Sequence, residues 1–245
     1  MEIQEIIKTF GIPVTYLNPC RLEASGSKSK MGGYESFVID EIDKCEYCNT
    51  KMTLIIELFK DEFEEGYFTY DKNYMQVKTC YYEECPYDEN RDIEFKIGFG
   101  NVNELKNNTE VIESHIPEIY FKAKSSFEIP HKTYETSHQL ELMRKMGQDE
   151  YENRIENHVA KIGTKLNGDI FAWNETEIPV CNCGNKMNQI LQISSYEPSL
   201  HPDENRPYYT WESSIGVYIA QLGNYHFFTC KACNDSNIEY RWDSQ

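Results

Sequence analysis

The sequence predicts a β-rich α+β fold: a tandem duplication of a β unit that carries a cysteine knuckle, with a short N-terminal helix and one or two helices between the copies. Eight of the nine cysteines form four close pairs, in the same order in each half of the chain. A short run of strand-forming residues follows the first pair of each half. Helical segments do not alternate with the strand candidates, which argues against a doubly wound sheet.

The first half carries Cys45-x2-Cys48, a gap of 31 residues and Cys80-x4-Cys85. The second carries Cys181-x-Cys183, a gap of 46 residues and Cys230-x2-Cys233. Two close pairs brought together supply four thiolates, the donor set of a tetrahedral structural zinc. The expectation is two Zn2+ sites: Cys45, Cys48, Cys80 and Cys85 in one, and Cys181, Cys183, Cys230 and Cys233 in the other. Pairing within a copy is inferred from order, and pairing across copies satisfies the same count. His226, four residues before Cys230, is an alternative ligand. Disulfides are the competing reading. An N-terminus without an export signal opposes them, as does the Cys181-x-Cys183 pair, which is too close for an unstrained bond. Redox chemistry at Cys45 and Cys48 lacks a surrounding βαβ pattern. Cys20 stands alone and reads as a small hydrophobe.

The halves match beyond the cysteines. Lys30-Met31-Gly32-Gly33 precedes the first pair, and Lys161-Ile162-Gly163-Thr164 precedes the third. Both lysines suit an internal ion pair or backbone contact. Gly32-Gly33 suits a tight turn, since neither glycine-rich phosphate motif is present. Asn49 and Gly184 each follow a cysteine and suit the left-handed backbone of a knuckle.

In chain order, Ile3, Ile6, Ile7 and Phe10 recur at helical spacing, and the helix ends near Gly11 and Pro13. Residues 12–36 read as loop-rich. Strands are expected at Met52–Phe59, Gly66–Tyr70, Tyr74–Lys78 and Ile93–Phe99, the last with Ile93, Phe95, Ile97 and Phe99 on one face. Residues 101–135 read as an irregular connection with short extended pieces around Ile119–Phe121. Ser137 caps one helix, ended by Gly147, and Asp149 caps a second through His158 and Val159. Strands then follow at Gln189–Ser194, Ile215–Leu222, Tyr225–Thr229 and Ile238–Trp242. The domain expectation is 1–135 for the first repeat with its connection and 136–245 for the second, packed as one compact unit.

The second half reads Ile178-Pro179-Val180-Cys181-Asn182-Cys183-Gly184, then Ile190-Leu191-Gln192-Ile193, then Cys230-x2-Cys233 and a closing Trp242. This resembles the C-terminal domain of the programmed cell death protein 2 family. The first half, opening on Lys-x-Gly-Gly and Cys-x2-Cys, resembles that family's N-terminal half. The chain also looks like the bacterial YwqG-like domain of unknown function. It departs from these patterns at Thr164, at Glu57 where the second half has Gln192, and in lacking Gly-Asp after Trp211. The resemblance implies a two-copy β-rich fold and a protein-binding role. The eukaryotic family is associated with chaperoning a small-subunit ribosomal protein, and the bacterial group occurs near toxin systems.

The formal charge of −17 repels nucleic acid and anionic membranes and favours a basic partner. The acidic run Asp61, Glu62, Glu64 and Glu65, with aromatics between, is the candidate docking surface. No apolar run reaches a membrane-span length, and the acidic N-terminus reads as no signal peptide, so a cytoplasmic location is expected. Neither H-E-x-x-H nor G-x-S-x-G occurs. The functional expectation is a zinc-stabilised module that captures a basic protein, either a ribosomal protein or a toxin domain. An enzyme whose site is assembled from distant residues, or a structural subunit, is the alternative.

Overall fold

The structure is a computed structural model. It describes residues 3–20, 28–64, 71–80, 85, 95–109, 116, 118–129, 144–150, 160–161, 163–171, 177–195, 223–233 and 237–244. Among the described residues, helix α1 (Ile3–Phe10) leads into twelve strands. These are β1 (Ile12–Cys20), β2 (Lys30–Met31), β3 (Phe37–Val38), β4 (Thr53–Phe59), β5 (Tyr74–Thr79) and β6 (Phe95–Gly100). They continue with β7 (Lys106–Asn107), β8 (Ile119–Glu128), β9 (Lys165–Asn167), β10 (Asn188–Ser194), β11 (Gly223–Thr229) and β12 (Ile238–Ser244). The expected strands at Gly66–Tyr70 and Ile215–Leu222 and most of both expected helices lie outside the described residues. Residues 144–146 and 148–150 are helical, separated by Gly147 at φ +84°, as a glycine stop requires.

The chain divides into two compact units, one from residues 19–64 and 70–122, the other containing 1–18 and 123–245. In the first unit the strand order is β8-β2-β4-β5-β6, with β3 and β7 as a separate ribbon. In the second it is β12-β11-β10-β9-β1-β8. Strand β8 begins in the first unit and ends in the second. The described ladders are antiparallel. Strands β4 and β10 are buried along almost their whole length, so neither alternates buried with exposed, and each carries a buried polar residue at the matching place, Glu57 or Gln192.

The second unit repeats the register of the first. Lys30 faces Glu57 and Met31 faces Ile56 across β2–β4; Lys165 faces Gln192 and Leu166 faces Leu191 across β9–β10. The β4–β5 register slips between Leu54 and Ile56, and the β10–β11 register slips at the matching place, between Gln189 and Leu191. A shared irregularity at one position is stronger than shared strands, because a bulge is a local insertion that regular pairing does not produce. Ser29 Oγ accepts the Phe59 N–H at 2.9 Å, and Thr164 Oγ1 accepts the Ser194 N–H at 3.2 Å.

This register corrects the sequence alignment. The partner of Lys30-Met31-Gly32-Gly33 is Lys165-Leu166-Asn167-Gly168, four residues beyond Lys161. The backbone confirms it: Gly32, Gly33, Asn167 and Gly168 have φ of 64°, 65°, 55° and 78°. A Cβ on Gly33 would lie 2.5 Å from Glu118 Oε2, and one on Gly168 2.5 Å from Glu128 Oε2. Matching on Lys-x-Gly finds Lys161 because asparagine takes the first left-handed position in the second half.

Residues 12–20 are strand, not loop. Pro13 and Pro19 read as breakers, but each stands near an end of β1, where a missing N–H is tolerated. Residues 119–128 are likewise one long strand, hidden from pattern analysis by exposed Lys122, Ala123 and Lys124. In β6 the expected alternation fails. Gly98 and Gly100 are buried against Ile39, Ile42 and Leu105, while Ile97 and Phe99 are half-buried.

The two lead strands are exchanged. Ile12-Pro13-x2-Tyr16-Leu17 recurs as Ile116-Pro117-x2-Tyr120-Phe121. Tyr16 faces Lys165 in the second unit, whereas Tyr120 faces Lys30 in the first. The Leu17 N–H donates to Thr164 O at 2.9 Å and the Phe121 N–H to Ser29 O at 3.2 Å. Leu17 and Phe121 are 1% and 2% exposed, so truncating either to alanine is expected to cost about 2–5 kcal/mol. The location of the loss is the test. By hydrogen exchange, Leu17→Ala should lose protection in β9 and β10, and Phe121→Ala in β2 and β4. Leu17→Ala acting first on β2 and β4 would refute the exchange.

Candidate metal centres

Each knuckle is a short bridge closed by a left-handed residue. Lys44 pairs with Lys51 around the first, and Val180 with Lys186 around the second. The Cys45 N–H donates to Thr50 O at 3.0 Å, and the Cys181 N–H to Asn185 O at 2.9 Å. Asn49 (φ 57°) and Gly184 (φ 86°) turn the chain, as the sequence led us to expect. Their N–H groups donate back to Cys45 O and Cys181 O at 3.0 and 2.8 Å.

The later cysteines arrive from the ends of β5 and β11. Cys45, Cys48, Cys80 and Cys85 form one group and Cys181, Cys183, Cys230 and Cys233 the other, with all sulfurs of a group within 4.8 Å of one another. Pairing is therefore within each half. Cys45 and Cys85 sulfurs are 3.8 Å apart, Cys48 and Cys80 3.6 Å, Cys181 and Cys233 3.8 Å, and Cys183 and Cys230 3.5 Å. A tetrahedron with Zn–S bonds of about 2.3 Å has S–S edges of about 3.8 Å. A disulfide would need about 2.05 Å. The donor set and its spacing thus fit a metal ion and do not fit disulfides.

Hydrogen bonds prepare the sulfurs for ligation. Burial raises the Cys48 thiol pKa, but bonds from Thr50 and the neighbouring sulfurs outweigh it and hold the value at about 6. Asn185, at the matching position, holds Cys183 at about 6 as well. Asn237 Nδ2 donates to Cys181 Sγ at 3.1 Å. In the second group burial and the neighbouring sulfurs push the Cys230 thiol up, and the neighbouring sulfurs push Cys233 up to about 12, so metal ligation there must displace protons from these two.

The two centres have different neighbours. Beside the first, Lys78, fully buried at the Nζ end, pairs with Glu35 and with Asp43 at 3.1 Å, and Lys51 lies 3.3 Å from Glu35. At the matching positions beside the second stand Ile170 and Phe228, in an apolar cluster with Cys181, Met187 and Cys230. An ion cluster in one unit thus does the space-filling that hydrocarbon does in the other.

His226 is not a ligand. It is buried in β11 with Nδ1 2.9 Å from Gln189 Oε1, and Nε2 has no partner among the described residues. Burial, with Lys165 nearby, pushes its pKa down from 6.5 to about 3. The folded state therefore binds this proton less readily than the unfolded chain. The stability tied to neutral His226 is complete above pH 6.5 and is lost as pH falls toward 3. Gln76 occupies the matching position in the first unit. His226→Gln should flatten the acid limb of stability by up to about 1.4 kcal/mol per pH unit, read by circular dichroism between pH 7 and 4. An unchanged acid midpoint would sink this account.

Lys30 and Lys165 act inside the fold, whereas the Lys161 side chain is exposed and only its backbone N–H reaches Glu128, at 3.2 Å. Lys30 Nζ donates to Glu118 at 2.6 Å and lies 3.7 Å from buried Glu57. Lys165 Nζ donates to both oxygens of Glu128 at 2.8 and 2.9 Å, and Tyr16 donates to the same carboxylate. Burial, then the Glu128 charge, raises the Tyr16 pKa. Lys30 and Tyr120 border a first-unit cleft of about 790 Å³, whose walls include Phe37, Phe59, Asn73 and Asn103. Burial and Glu118 together push the Tyr120 pKa up to about 12.

Of the acidic run, Asp61 pairs with Lys28 at 2.8 Å, and Glu62 accepts the Lys28 and Ser29 N–H groups at 2.5 and 2.7 Å. These two residues anchor the entry to β2. Glu64 is exposed, and Glu65 lies outside the described residues.

No family model matches this chain, and no curated protein matches it in sequence.

Proposed function

We propose that this chain is a tandemly duplicated, zinc-stabilised binding module that captures a basic protein, of the ribosomal-protein or toxin-domain kind. The observation that carries the reading is that each sulfur group is complete. Four thiolates fill a tetrahedron, so zinc would have no open position for substrate and its role would be structural. Each such centre adds a further −2 to a formal charge of −17. Asp40, Glu41, Glu46 and Glu64 stand exposed on the first unit, with Tyr34 and Tyr47 45% and 55% exposed. Acidic and aromatic groups together suit a basic segment.

The test is affinity capture of the tagged protein from its own cell extract. One dominant basic partner is expected at low salt and should be lost at high salt, where the screening length falls from about 10 Å at 0.1 M to about 3 Å at 1 M. Glu64→Gln combined with Glu41→Gln should weaken that binding without changing the fold. A partner that is neutral or acidic, or insensitive to salt, would sink the reading. The enzymatic alternative would draw on the first-unit cleft. The ionic groups beneath it are already engaged, Lys30 with Glu118, and Glu57 by hydrogen bonds from Ser36 and Tyr74.

A further inference from the structure

The two centres pair their sulfurs in the same way, first with fourth and second with third, yet they differ in how they meet solvent. In the first, Cys45 and Cys85 are buried and Cys48 and Cys80 half-buried. In the second, Cys181 and Cys230 are buried, Cys233 is half-buried and Cys183 is exposed. The cause lies in the turn. Cys181-x-Cys183 is one residue shorter than Cys45-x2-Cys48, and residues 182–186 are all exposed. A Cβ added to Gly184 would meet nothing within 4 Å, so open space surrounds the tip.

Accepting zinc in both sulfur groups, we infer that Cys183 is a modification site: the sulfur at which peroxide-class oxidants open the second centre while the first stays loaded. The Cys183 thiolate attacks one peroxide oxygen and the O–O bond breaks. The departing hydroxide takes a proton and leaves as water, and Cys183 becomes a sulfenic acid. Cys230, 3.5 Å away, is the resolving thiolate. Its sulfur attacks Cys183, forming the S–S bond and expelling a second hydroxide that is also protonated to water. Two thiolates are oxidised, one hydrogen peroxide is reduced to two waters, and two protons come from solvent. Only Cys181 and Cys233 would then remain as thiolate donors, too few to hold a structural zinc ion. A dithiol reductant with added zinc reverses the step.

The experiment uses the full reduced chain, loaded with zinc, its metal content measured first. Hydrogen peroxide is added below one equivalent, zinc release is followed with a chromogenic chelator, and cysteines are mapped by mass spectrometry. The expected result is a fast phase confined to one of the two zinc ions and a Cys183–Cys230 disulfide, with the four first-unit cysteines unmodified. Cys183→His keeps four ligands but removes the exposed sulfur, so fast release should slow by about tenfold or more. Both zinc ions leaving at one rate, first modification at Cys48 or Cys80, or unchanged release from Cys183→His would overturn the inference alone. A reduced protein that takes up no zinc would overturn the metal reading and this inference with it.

Discussion

Stripping metal from the reduced protein is expected to unfold both units. The apolar groups around the first centre are few: Cys45, Met52 and Cys85 form the buried cluster, with Cys48 and Cys80 against it. The ligands are themselves the local core. Structural zinc in small knuckles contributes about 10–16 kcal/mol of apparent binding energy, whereas a whole domain is stable by only about 5–15 kcal/mol. Losing either ion therefore outweighs the margin of the unit that holds it. Protein purified under reducing conditions should carry two zinc ions per chain, one for each group. Excess chelator should abolish the native circular dichroism spectrum, and zinc should restore it. Cys45→Ser should lower the metal content by one and spare β9 to β12. A chain that keeps its native spectrum and cooperative melting without metal would end the structural-zinc account.

A reversal of sign is expected at the buried ion cluster. Lys78→Ala leaves buried Glu35, with half-buried Asp43 beside it, with too little compensating charge. Breaking a buried pair in this way typically costs about 3–5 kcal/mol, although Lys51 at 3.3 Å from Glu35 softens the loss. The second unit suggests the remedy, because Ile170 and Phe228 fill the same two positions. The double substitution Glu35→Ile with Lys78→Phe removes both desolvated charges together. It should be neutral or stabilising by about 1–4 kcal/mol, as replacement of a buried pair by hydrocarbon often is. Urea unfolding of the zinc-loaded single and double variants is the measurement, with the slope checked for constancy. A double variant as unstable as Lys78→Ala would mean that the cluster is required for the fold of the first unit.

Elements with strong local signals were legible from the chain alone. Strands β4, β5, β10, β11 and β12 fall within a residue or two of their expected bounds, because apolar runs bounded by turn residues carry their own signature. The eight cysteines were legible for the same reason, as were the left-handed residues Asn49 and Gly184 that close the knuckles. Strand β1 was not, since its prolines mask a pattern that only its neighbours justify. Nor was β8, whose exposed middle residues have no alternation to read.

The sequence by itself determined the eight ligand cysteines and the β-rich class, because ligand type and apolar periodicity are local properties, whereas the folded chain decided which pairs share a group. Only the tertiary structure decided which strand completes which unit. Ile12–Leu17 and residues 116–121 carry nearly the same pattern, so neither strand's own residues choose between Lys30 and Lys165. Register and burial against the rest of each ladder make that choice. The same holds for Lys78. A lysine is polar in any sequence, and it becomes core only where Glu35 and Asp43 are folded against it.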